Sequence, residues 1–268
     1  MKIGIFDSGL GGLIIARAIR KSMPQYDYVY LGDTKRVPYG NRSHEEVFEF
    51  TKEAVNYLLG QENCAIVIVA CNTSSARALR KIQVEYLPKK FPDRKVLGVL
   101  IPAAELAAAY DRVGVLATVG TVASNTFPME IKKLNSGAVV FQNPAPMLVS
   151  LIEEGNLALA KKFLSKYLKP FIDKKLDALV LGCTHYPLLK SDIRKIMPKK
   201  VKIISQDEII SRKLKEYLTR HSEISKKLSD NGTMKISVTS QTKNVNHLVK
   251  KWFGRAKIDV ISSSLLSS

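Results

Sequence analysis

Short apolar runs rich in Val and Ile alternate with stretches of helical period along the whole chain. The runs at 2–7, 27–33, 64–70, 95–99, 112–117, 138–142, 176–182, 201–205, 234–240 and 257–262 predict strands. Helical patterns separate them, most clearly at 11–23, 43–59, 187–197, 207–220 and 242–253, with one more running from about residue 72 to about 86. Ser43 and Glu46 have the spacing of a capping box, and Val47, Phe50, Ala54 and Leu58 fall on one face of the helix they open. Alternation of this kind predicts an α/β protein with mostly parallel sheets flanked by helices. Functional groups are then expected at the carboxyl ends of strands. No Gly/Ser/Pro-rich linker divides the chain. Two similar units, VIVACNT (67–73) and LVLGCTH (179–185), instead suggest two similar domains whose cleft would bring Cys71 and Cys183 face to face.

Composition narrows the field. A chain of 268 residues, 46% hydrophobic and 25% charged, can bury a sizeable core. No apolar run is long enough to span a bilayer, and no apolar leader precedes a small-residue cleavage site, so a cytoplasmic protein without membrane association is expected. Three cysteines make no disulfide framework, and no CxxC pair indicates structural zinc. The net charge of +18 could draw nucleic acid, but the lysines are scattered over helical stretches and no zinc finger, RNP motif or basic–aromatic interleaving is present. A solvated lysine-rich surface is the favoured reading, with no nucleic-acid partner.

Chemistry gathers at the strand ends. Cys71 stands where a buried strand meets a helix, where free N–H groups and the helix dipole favour a thiolate. A buried packing thiol is the competing reading for it. Cys183 has the same placement, with His185 two residues on to hold or relay a proton, whereas Cys64 reads as packing. Cys71, Cys183 and His185 could also supply three zinc ligands, but nothing in the spacing supports this and no metal is expected. The turn Asp7–Gly12 opens a helix without GxGxxG or Walker A spacing, so rather than cradling a nucleotide it either presents Asp7 and Ser8 with its N–H groups facing a carboxylate or is a tight turn with no ligand. Thr118 and Thr121 follow another strand. With Ser8, Asn72, Thr73 and Thr184 they form an uncharged hydrogen-bonding set suited to an amino acid's carboxylate and ammonium.

The blocks IFDSGLGGL (5–13), LGDTKRVPYG (31–40), VACNTSSA (69–76), SLIEEG (150–155) and LGCTHYP (181–187) together resemble the signature blocks of bacterial glutamate racemases, in the same order. The resemblance implies an isomerase that interconverts L- and D-glutamate without a cofactor or metal and supplies D-glutamate for peptidoglycan, and a homodimer is expected. It implies two α/β domains, 1–98 plus 210–268 and 99–209, with the site between them. Cys71 and Cys183 would be the acid–base pair, Cys71 acting on D-glutamate and Cys183 on L-glutamate. Asp7 and Glu153 would assist on the Cys71 side and His185 on the Cys183 side. Ser8, Pro38, Tyr39, Gly40, Asn72, Thr73, Thr118, Thr121 and Thr184 would line the substrate pocket with them. The chain departs from the family pattern at Ile101, Ala117 and Ser74, none of them expected to touch a catalytic group.

Two bases suit racemisation because a proton removed and returned on one face regenerates the same enantiomer. An aspartate racemase is the nearest alternative, separable by assaying L-Glu against L-Asp. The Pro38–Gly40 and cysteine blocks favour glutamate.

Overall fold

A computed structural model describes residues 1–262 and shows ten strands in two sheets. The strands are β1 (Lys2–Asp7), β2 (Tyr28–Gly32), β3 (Cys64–Val69), β4 (Lys95–Gly98), β5 (Arg112–Ala117), β6 (Val139–Pro144), β7 (Ala178–Gly182), β8 (Lys202–Ile204), β9 (Met234–Val238) and β10 (Ile258–Val260). The first sheet has the order β10-β9-β2-β1-β3-β4 and the second β6-β5-β7-β8. Every pairing is parallel. Parallel strands covered on both faces must be apolar on both sides, which is why they read as continuous runs.

Side chains sort by strand alternation. Ile3, Ile5, Tyr28, Tyr30, Ile66 and Ile68 face one way from the first sheet, and Phe6, Val29, Leu31, Val67 and Val69 the other. The first of these faces belongs to the same continuous core as Leu116, Leu179, Leu181 and Ile203 of the second sheet. The opposite face of the second sheet, with Val113, Val115 and Val180, packs on the helices Leu100–Ala107 and Thr126–Leu134.

The first sheet takes strands from both ends of the chain and the second takes those between. The chain leaves the first sheet at Gly98 and returns through the helix Gln206–Arg220, which packs on both Gly12–Ser22 and Leu100–Ala107. The expected boundary at 209/210 falls inside that helix, and residues 263–268 of the expected first domain lie outside the described residues.

Local features agree with the sequence patterns. In the helix His44–Gly60 the Ser43 hydroxyl accepts from Glu46 N and the Glu46 carboxylate accepts from Ser43 N, both halves of the capping box. Two helices differ from their expected form. The one after Cys71 continues to Lys90 but breaks at Ala78 and widens into a π turn at Ile82–Tyr86. Pro88 lies just beyond and offers no N–H to the preceding turn, a common cause of such irregularity. Pro187 likewise starts a 3-10 turn, Tyr186–Leu189, before the α-helix Lys190–Ile196. No helix among the described residues is long and apolar enough to cross a membrane.

Candidate active site

The carboxyl ends of β1, β3, β5 and β7 deliver Asp7, Cys71, Thr118 and Cys183 to one place between the sheets. There a narrow cavity of about 10 Å³ is walled by Ser8, Pro38, Tyr39 and Gly40 on one side and by Cys71, Asn72 and Thr73 beside them. Thr118, Cys183, Thr184 and His185 complete it from the second sheet, with Val149. The structure thus brings together most of the residues expected from the sequence. Asp7, Thr121 and Glu153 stand behind the walls, each hydrogen-bonded to one or more lining residues.

Asp7 is fully buried, at 0% exposure. Its carboxylate accepts from Ser8 N at 2.9 Å, from Gly12 N and from the Thr184 hydroxyl at 3.1 Å. Burial pushes the Asp7 carboxyl up, as does the nearby Glu153 charge, against the pull of His185 and these donors. The turn that follows must come very close to the second sheet. A Cβ on Gly11 would stand 2.6 Å from Thr184 Oγ1 and 2.7 Å from the His185 ring. Close approach, rather than phosphate binding, accounts for the small residue there.

Cys71 caps the helix Asn72–Arg77, and its thiol lies 3.4 Å from the Ser8 hydroxyl. The sequence leads one to expect that the helix start favours a thiolate. Burial outweighs it: desolvation and then the Asp7 charge push the Cys71 thiol up, while Ser8 and the Ser74 amide and hydroxyl pull it down. Ser74, expected to be remote from the chemistry, therefore does act on a catalytic candidate. Burial thus favours the thiol form of Cys71, and a cation beside it would favour the thiolate.

Cys183 is differently served. Its Sγ lies 3.6 Å from His185 Nδ1, and His185 Nε2 lies 2.6 Å from Glu153 Oε1. Burial opposes charge on the imidazole, but hydrogen bonds to Cys183 and Glu153 outweigh it and hold the His185 pKa well above the usual histidine range. As an imidazolium it donates at both nitrogens. Glu153 Oε1 also accepts from Leu10 N at 2.7 Å. Glu153 thus stands with His185 on the Cys183 side, a correction to the expectation that it attends Cys71. Glu153 is the last residue of the helix Leu148–Glu153, which follows β6.

Hydroxyls join the two sheets across the cavity. Thr73 Oγ1 is 2.9 Å from Thr118 Oγ1 and 3.4 Å from Thr121 Oγ1, and the Thr118 hydroxyl caps the helix Val119–Ala123 by accepting from Thr121 N. Gly40 packs against the same threonine, where a Cβ would come within 2.7 Å of Thr118 Cβ. Tyr39 beside it donates to Asp33 at 2.5 Å, and Arg36 holds the same carboxylate. This anchors the loop that contains the cis Val37–Pro38 bond.

Sequence reading missed Val149 in the lining and Trp252, whose ring meets His185 edge-on at 6.1 Å. Each comes from an amphipathic helix where an apolar residue reads only as core. Cys64 is buried away from the cavity, as its sequence setting suggests, and desolvation with the Glu62 charge pushes its thiol up to about 12. Among the described residues no three His, Cys, Asp or Glu side chains gather as a metal-ligand group.

Two parallel-sheet units, each placing a thiol on one shared cavity, define an α/β protein with its candidate site between the sheets. The chain belongs to the Asp/Glu/Hydantoin racemase family, whose model matches residues 14–210. It is similar, at 37% identity over 270 residues and 99% of both chains, to the glutamate racemase of Aquifex aeolicus strain VF5. Its structure is similar to that of the glutamate racemase from Francisella tularensis subsp. tularensis SCHU S4 in complex with D-glutamate. The TM-score is 0.89 at 32% identity, covering 100% of this chain and 98% of that one. A glutamate racemase isoform from Bacillus anthracis gives a TM-score of 0.87 at 33% identity, with 98% and 97% covered.

Proposed function

We propose that the protein interconverts L- and D-glutamate by moving one Cα proton between Cys71 and Cys183. The observation that carries this reading is the placement of the two thiols, one from the end of each sheet, on a single cavity whose lining also offers Ser8, Asn72, Thr73, Thr118 and Thr184, with His185 beside Cys183. The full-length similarity to glutamate racemases supports glutamate as the substrate.

In this reading one cysteine enters as thiolate and removes the Cα proton, leaving a carbanion delocalised into the substrate carboxylate. The other thiol then donates to the opposite face. Ser8, Asn72, Thr73, Thr118 and Thr184 hold the carboxylate and ammonium, with Thr121 behind them, and the hydroxyls of this set stabilise the negative charge that develops as the Cα–H bond breaks. The substrate's ammonium supplies a cation that offsets the burial and the Asp7 charge opposing the Cys71 thiolate. On the other side the His185 imidazolium, held by Glu153, stabilises the Cys183 thiolate and can pass it the Nδ1 proton, recovering that proton from the thiol in the reverse direction. Cys71 acts on D-glutamate and Cys183 on L-glutamate. D-glutamate for peptidoglycan, a cytoplasmic location, a homodimer and the division into 1–98 plus 210–268 and 99–209 belong to the same reading.

Circular dichroism of L- and D-glutamate, with aspartate as the comparison substrate, tests it. Wild-type protein should bring either glutamate enantiomer to the racemate, and Cys71→Ser and Cys183→Ser should each abolish this. A single variant that still racemised glutamate near the wild-type rate would refute the two-base assignment.

A further inference from the structure

Beside the cavity, Asn72 is held by a partner that comes from the helix after β8 of the second sheet. Gln206 Nε2 donates to Asn72 Oδ1 at 2.6 Å, and Asn72 Nδ2 donates back to Gln206 Oε1 at 3.3 Å. The two are 134 residues apart, and both are buried, at 2% and 1% exposure. Asn72 opens the helix that follows β3, while Gln206 opens the helix that follows β8, so the pair joins the two sheets. Gln206 does not itself line the cavity.

A carboxamide offers two N–H groups and an oxygen with two lone pairs. The paired amides use one donor and one acceptor of Asn72 and leave one of each. A side chain gripped at both ends of its amide plane cannot rotate about its terminal bond without breaking two buried hydrogen bonds. The orientation of the two remaining groups is thereby settled before any ligand arrives.

We propose that Gln206 is a positioning residue of this site, holding the Asn72 carboxamide so that its free N–H and lone pair meet the substrate without reorganisation. The proposal rests on the reading of Asn72 as a substrate-binding residue. Preorganisation of a contact made alike in ground and transition states acts on KM and leaves kcat nearly unchanged. A purely structural role would instead lower the active fraction or the melting temperature with KM constant.

The test uses the full-length protein with Gln206→Leu, which keeps the side-chain bulk but makes neither bond, and Gln206→Glu, which keeps an acceptor. KM for both glutamate enantiomers should rise about tenfold in Gln206→Leu with kcat changed less than about threefold, and Gln206→Glu should lie between it and wild type. Asn72→Ala combined with Gln206→Leu should be no worse than Asn72→Ala alone, because the glutamine acts only through the asparagine. The assigned Asn72 side-chain NH₂ resonances should lose their hydrogen-bonded shift in Gln206→Leu. An unchanged KM in a folded variant, multiplying effects in the double variant, or unmoved Asn72 resonances would each overturn the proposal. Should Gln206→Leu fail to fold, the KM and NH₂ shifts of Gln206→Glu decide. A wild-type protein inert toward glutamate would instead refute the functional reading, and the Asn72 resonances would then decide on Gln206 alone.

Discussion

Glu153→Gln removes a charge from the His185 relay while preserving shape. In the native site Glu153 Oε1 accepts from both His185 Nε2 and Leu10 N, at 2.6 and 2.7 Å. The amide oxygen of glutamine can accept the same two bonds, so the geometry survives and only the charge assistance is lost. Hydrogen bonds to charged groups are worth about 1.5–3 kcal/mol and neutral ones about 0.5–1.5 kcal/mol, which makes the loss about 1.5 kcal/mol. If that interaction is spent on holding the imidazolium beside Cys183, kcat/KM should fall about tenfold. Because the two enantiomers are equally stable in water, kcat/KM must fall by the same factor in both directions, and any asymmetry is confined to kcat and KM separately. Glu153 helps hold the His185 pKa well above the usual histidine range. Its neutralisation therefore lets the imidazolium lose its proton at lower pH, and the alkaline limb of the kcat/KM profile should move down. The assay is stopped racemisation read by circular dichroism from pH 6 to 10 with each enantiomer. A variant within twofold of wild type, with an unmoved alkaline limb, would refute the relay.

Three further outcomes follow from contacts outside that relay. Gly40→Ala drives a Cβ to within 2.7 Å of Thr118 Cβ, and an overpacking cost of about 1–3 kcal/mol should raise KM at least about fivefold, measurable by initial rates. Asp27 accepts from Thr233 N and Oγ1 at 2.8 and 2.6 Å and from Asn231 Nδ2 at 2.7 Å. Although burial raises its pKa, these donors and Ser229 win and hold it well below the usual carboxylate range. Its stabilisation is therefore present above about pH 4, the unfolded value, and fades as pH falls toward the folded one. Asp27→Asn should lose about 1–2 kcal/mol by urea titration at pH 7, and the gap from wild type should shrink toward pH 3. Cys64, pushed up to about 12 by burial, should resist iodoacetamide at pH 8 in the folded protein, and react once urea unfolds it, as peptide mass mapping would show.

All ten strands were legible because parallel, doubly covered strands leave unbroken apolar runs, and their carboxyl ends located the cavity. Cys71 and Cys183 stood out through matching strand–Cys–polar contexts, though choosing catalysis over packing needed the surrounding blocks. What stayed hidden was relational. Nothing near Glu153 in the sequence indicates that its carboxylate meets His185 rather than Cys71, since that depends on how far a six-residue helix carries it. Nor can spacing reveal the bond between Asn72 and Gln206, which is made across two sheets. The direction of the Cys71 shift was also out of reach. It depends on how completely the thiol is desolvated and on the charge of Asp7, neither of which is visible in a local pattern.

The order in which the sheets are completed bears on synthesis. The four strands of the second sheet have all been made by Ile204, whereas the first sheet still lacks β9 and β10, which end at Val238 and Val260. During translation β2 therefore keeps an open edge while the inserted sheet can already close around its own core. The half that carries Cys183 is ready first. The half that carries Cys71 waits for β9 and β10, so a chain cut short between Ile204 and Met234 would hold the second sheet beside an exposed, association-prone edge at β2.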